Sequence, residues 1–193
     1  MASTRIGGAP VTTAHYARFA ASLVSGVVAA MIGGVAMAIV MVVAFMTFRH
    51  TGLLYALKPI GAFLYGDRMF VAPTGAMYVA ATAFHFGVCA IWGCVFAFAA
   101  TLLRADKSVG GSLVLGIVVG LASQIVDIGF VTPAVMNTLW GQDLWTATVP
   151  PAYSWLGHVA FGLSFAIAPL IFRGLWVRWS GRPEVAYDGS RIR

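Results

Sequence analysis

Four apolar runs, each long enough to cross a bilayer, decide what this chain folds into. They cover about Phe19–Phe48, Ala76–Leu103, Val109–Val131 and Trp155–Leu175. At 1.5 Å of rise per residue each spans a hydrocarbon core of roughly 30 Å, the longer ones with tilt. The runs are continuous rather than alternating, so they read as helices that satisfy their own backbone hydrogen bonds and not as the strands of a barrel. Composition leaves no other solvent than lipid. Only 9% of the 193 residues are charged and 60% are hydrophobic, whereas a soluble domain carries roughly a quarter charged residues. The first run is too long for a signal peptide and is followed by no small-x-small cleavage site. The fold class is therefore an all-α integral membrane protein. Residues 1–175 form one four-helix transmembrane bundle, and residues 176–193 an interfacial and polar tail.

An even number of spans puts both termini on one side. That side holds Arg5, Arg18, Arg104, Lys107, Arg173, Arg178, Arg182, Arg191 and Arg193, nine of the twelve basic residues; Arg49, Lys58 and Arg68 fall opposite. The bias places both termini in the cytoplasm. Orientation thus accounts for the net charge of +6 without a nucleic-acid partner. The first outer loop is too apolar for an ordinary connection, and Leu53–Tyr65 predicts a short interfacial or re-entrant helix broken at Pro59. Trp140, Trp145, Tyr153 and Trp155 form the expected outer aromatic belt, with Trp176 and Trp179 as its inner counterpart. Cys89 and Cys94 stand five apart and do not share a helix face, which argues against a disulfide.

Few polar side chains enter the spans, and the topology brings them together. His50 ends the first span, His85 lies about 13 Å below the outer end of the second, and His158 is one turn into the fourth. Gln124 and Asp127 lie one to two turns from the outer end of the third, which Pro133 is expected to close. All would occupy the outer half of the membrane. Three functional uses are open to them. His85, Asp127 and His158, with His50, are suitable ligands for a transition metal; His85 and His158 could hold a haem b by axial imidazoles; or a His and an Asp could handle a proton or a substrate. The plain alternative is that each histidine bonds a backbone carbonyl or a hydroxyl and fastens two helices. The chain has no Cys-x-x-Cys, no His-Glu-x-x-His, no phosphate loop and no nucleophile elbow, which disfavours soluble-type enzyme chemistry.

Small residues repeat at helical spacing. Ser112, Gly116, Gly120 and Gln124 line one face of the third span, and Ser22, Gly26 and Ala30 one face of the first. Such faces let backbones approach closely, with Gln124 placed to hydrogen-bond across the contact.

Gly116, Gly120, Gln124 and Pro133, together with the Gly157-His158 pair and His85, resemble the YagU-like family of bacterial inner-membrane proteins over the region from the second span to the C-terminus. Where the family pattern has a histidine four residues after the glutamine, this chain has Ile128, beside Asp127. The resemblance implies a multi-span protein of the bacterial inner membrane, loosely linked to acid tolerance. Two functions fit the sequence. One is a small accessory subunit that packs against other membrane subunits, or itself, through its glycine faces. The other is a self-contained transporter, channel or redox protein built on the His/Asp cluster.

Overall fold

The computed structural model describes residues 11–180. Helix α1 (Val11–Arg49) leads through a 3-10 turn (Leu53–Ala56) into α2 (Leu57–Tyr65) and α3 (Arg68–Val71). The second span is α4 (Gly75–Leu103). A 3-10 turn (Ala105–Lys107) joins it to α5 (Val109–Ser123), which continues as a π-helix (Gln124–Val131) and then as α6 (Thr132–Trp140). The short α7 (Leu144–Thr148) precedes α8 (Pro151–Leu163), which runs through a 3-10 turn (Ser164–Ile167) into α9 (Ala168–Ser180). Four helical stretches are long and apolar enough to cross a membrane: Tyr16–Arg49, Gly75–Leu103, Val109–Trp140 and Pro151–Trp179. The chain is a multi-pass membrane protein built as an all-α bundle. The polar tail expected beyond residue 180, and Arg5, lie outside the described residues.

The ends of these helices follow from local chemistry. The Thr74 hydroxyl accepts from Met77 N–H and starts α4, and Ser108 Oγ accepts from Gly111 N–H at 3.0 Å and starts α5. Asp143 accepts at one carboxylate oxygen from both Trp145 N–H and Thr146 N–H, each at 3.1 Å, which fixes α7. At the end holding the termini, Arg18 pairs with the buried Asp106 at 3.3 Å and Arg173 donates to the Lys107 carbonyl at 3.4 Å.

Helix α1 is central. It packs on α4 along one side and on α8 and α9 along the other, while α5 packs on α8. Glycine makes both crossings possible. A Cβ on Gly26 would stand 2.6 Å from the Gly93 carbonyl oxygen, and one on Gly120 would stand 2.5 Å from the His158 carbonyl oxygen. Gly116 meets Gly162 backbone to backbone in the same way. The small-residue faces, open to use within a compact bundle or against another subunit, are thus packed within the chain. Around them Ala29, Ala30, Phe96, Ala100, Phe161 and Phe165 form the core, with the Phe96 and Phe165 rings stacked at 4.1 Å.

The distal end, opposite the termini, is closed by the short helices. Met41, Phe45, Ala56, Ala62, Met136, Leu144, Trp145 and Val149 form a second cluster there. Pro59 does not break the first-loop helix as expected. It sits in the first turn of α2, fully buried, where its missing N–H would have had no helical acceptor. Trp145 is not part of an aromatic belt either: it is 8% exposed, while Trp140 and Trp155 keep about two-fifths of their surface open.

The largest departure concerns the third span. Pro133 does not end it, because the π-turn that precedes the proline is wider than an α-turn and the helix resumes as α6 with proline in its first turn. From Asp127 the helix continues to Trp140, about 20 Å further. Asp127 therefore lies near the middle of a 32-residue span, not one turn from its end.

Candidate functional site

Between α4, the π-segment and α8 lies a cavity of about 110 Å³. His85, Asp127 and His158, contributed by three different spans, all line it. Its walls are otherwise mostly apolar and aromatic, with Phe63, Phe84, Trp92 and Phe161 among them. A smaller cavity of about 50 Å³ sits next to it, sharing His85, His158 and Trp145 as walls. Of the metal-ligand candidates only His50 is elsewhere: it caps α1 at the distal end with a positive φ of 53° and is exposed.

Each of the two cavity histidines bonds a backbone carbonyl. His85 Nε2 lies 3.1 Å from the Gly34 oxygen on α1, and His158 Nδ1 lies 2.9 Å from the Ser154 oxygen one turn earlier in its own helix. A carbonyl only accepts, so these ring nitrogens carry the hydrogens. Nδ1 of His85 and Nε2 of His158 are then the free acceptors of the neutral rings. The fastening role is realised in His85, which ties α4 to α1. Gln124 does what its place on the packing face predicted: its Oε1 accepts from Ser154 Oγ at 2.7 Å across the α5–α8 contact.

Asp127 is held differently. Its Oδ2 accepts from Trp92 Nε1–H at 2.7 Å, and no Lys or Arg among the described residues pairs with it. The geometry also answers why an amide and an acid stand three residues apart here. In the wide π-turn they diverge further than on an α-helix, so Gln124 reaches α8 while Asp127 reaches α4. The same turn sets the cavity wall. Thr132 N–H bonds the Asp127 carbonyl, an i→i+5 link that stacks Thr132 about one turn above Asp127. Ser123, Asp127, Ile128, Val131 and Thr132 consequently share the cavity, a set that α-helical periodicity does not bring to one face.

Two more polar side chains line the cavity, both missed in the sequence. Thr132 Oγ1 and Trp145 Nε1 are buried without a hydrogen-bond partner among the described residues, on side chains that line the cavity. Trp92 could have been found: it falls seven residues after His85 and shares its helix face. Trp145 could not, because it arrives from the short α7 between two spans.

Neither a metal nor a haem is favoured by this arrangement. Among the described residues no group of three or more His, Cys, Asp or Glu is placed to hold a metal ion. The cavity is well below the 300 Å³ or more typical of an organic cofactor pocket. Cys89 is buried, Cys94 exposed, and both are free. No protein-family model, no curated protein and no solved structure matches the chain.

Proposed function

We propose that this chain is a self-contained membrane permease, a carrier or channel that passes a small polar solute through the mid-bundle cavity. The observation that carries this is the meeting of His85, Asp127 and His158 from three spans in one cavity. A purely structural bundle gains nothing from such a void. An acid within a span costs at least about 2.5 kcal/mol. A solute that binds Asp127 there offsets that cost.

The accessory-subunit reading, which drew on the glycine faces and the apolar first loop, loses one of its two supports because Gly26, Gly116 and Gly120 pack within the chain. The bacterial inner membrane as location, with both termini cytoplasmic, is supported by the basic-residue bias and by the YagU-like resemblance.

The test is flux. Purified protein, reconstituted alone into liposomes, is assayed for passage of protons, potassium, methylammonium, ethanolamine, glycerol and urea. Transport of at least one of them above protein-free liposomes, from a monomer or homo-oligomer, is expected. No flux for any of them, with a second chain co-purifying in fixed ratio, would overturn the proposal.

A further inference from the structure

One side of the bundle is left open, and the opening reaches Asp127. Three of the four seams between neighbouring spans are closed by direct packing: α1 on α4, α1 on α8 and α9, and α5 on α8. The fourth lies between α4 and the third span. Toward the end holding the termini it is closed where α4 packs on α5, but α4 makes no comparable packing against the π-segment. At the distal end α2 bridges the same two spans. Its Phe63 ring lies 5.3 Å from the Phe84 ring on α4, and the Phe63 carbonyl accepts from Trp140 Nε1–H on α6 at 3.3 Å. Between these two closures the wall thins to a window.

Burial shows which way the window faces. The cavity residues His158 and Phe161 on α8 are buried, as is Ser123. Those on the two edges of the seam are not: Phe84, Val88 and Trp92 on α4, and Asp127, Ile128 and Val131 on the π-segment, line the cavity and keep part of their surface open. These edges belong to helices that cross the bilayer, and Asp127 is near the middle of its span, so the window faces hydrocarbon rather than water.

Asp127 stands in that window. Its Oδ2 is taken by Trp92 across the gap, but its Oδ1 accepts no hydrogen bond among the described residues and is not enclosed. No Lys or Arg among the described residues lines the cavity or pairs with this acid. What completes the site must therefore bring a positive charge and an N–H, and must arrive through lipid. Phe84, Val88, Ile128 and Val131 frame a path suited to an alkyl chain, and the Trp92 ring suits a cation. An apolar cavity of about 150 Å³ takes a benzene ring. At about 110 Å³ this one takes an ammonium group and the first few carbons, and leaves the rest of a chain outside.

We propose that the window is a ligand site for a membrane-dissolved primary amine, its ammonium group on Asp127 Oδ1 and its alkyl chain passing between α4 and the π-segment into the lipid. The ion pair so formed carries no net charge within the span. This goes beyond the permease reading and does not rest on it, because it concerns what reaches Asp127 from the bilayer.

The probe is radiolabelled decylamine, equilibrated with the full chain in phosphatidylcholine nanodiscs, with empty nanodiscs giving the share that merely partitions into lipid. Saturable binding of about one amine per chain is expected. Decanol, which has the same chain without the charge, should compete at least about tenfold more weakly, and Asp127→Asn should weaken decylamine binding at least about tenfold. The side of entry has its own readout. In phosphatidylcholine brominated at mid-chain, the Trp92 emission, taken as the difference between wild type and Trp92→Phe, should be quenched, and decylamine should relieve the quenching.

Equal competition by decanol, or undiminished binding to Asp127→Asn, overturns the proposal. So does the absence of saturable binding to wild-type protein that is helical and monodisperse, and so does an unquenched Trp92, which would mean that the seam is closed to lipid. None of these readouts measures flux, so the amine site and the permease stand or fall separately.

Discussion

Gly120→Val destabilises the bundle by about 3 kcal/mol or more, whereas Gly87→Val changes stability by less than about 0.5 kcal/mol. Both glycines sit in membrane spans, but only Gly120 belongs to a small-residue stripe at four-residue spacing. A Cβ at Gly120 would meet the His158 carbonyl oxygen at 2.5 Å and the Gly162 Cα at 3.0 Å, both backbone atoms that no rotamer change can move. The α5–α8 crossing must open as a whole, which also pulls Ser154 from Gln124 at 2.7 Å. At Gly87 an added Cβ meets nothing within 4 Å. Unfolding in mixed micelles by titration with sodium dodecyl sulfate measures both. Equal effects would mean that α5 and α8 do not cross at Gly120.

Asp127→Asn lowers solute flux by at least about tenfold while leaving the unfolding midpoint at or above that of the wild type. The two readouts part because of what the amide keeps. Its oxygen still accepts from Trp92 Nε1–H, the bond that places this side chain at 2.7 Å from α4, so the helices stay fastened. It loses only the charge, and no Lys or Arg among the described residues depended on that charge. Flux in proteoliposomes and thermal unfolding of the same preparation give the comparison. A variant that transports normally shows that Asp127 is a helix fastener and nothing more.

The fold was legible because lipid imposes it. Apolar length and the scarcity of charge led to four helical spans, and the Gly116–Gly120–Gln124 face led to a tight crossing that ends in an interhelical hydrogen bond, here to Ser154. The candidates for the site were also legible, since ionisable residues are few inside the spans. What could not be read was how they are turned. α-Helical periodicity puts Asp127 on a flank and separates it from Thr132 by five residues; only an i→i+5 turn aligns them, and no local residue pattern announces one. Pro133 misled for the same reason, because its usual effect is to stop a helix and the π-turn before it removes the clash. Trp145 was assigned to a membrane belt on its residue type, although Asp143 caps α7 so that the ring turns inward.

The cavity is therefore either a functional site or a packing defect, and filling it tells which. Val88 lines it from α4, and Val88→Phe adds apolar volume without removing any hydrogen-bonding group. A defect that is filled makes the bundle as stable or more stable, with transport unaffected. A binding site that is filled stops working. The deciding measurement is the flux of the Val88→Phe protein in liposomes, read beside its unfolding temperature. The account predicts an unfolding temperature at or above that of the wild type with flux reduced at least about tenfold. Undiminished flux through a stable, filled variant would contradict it.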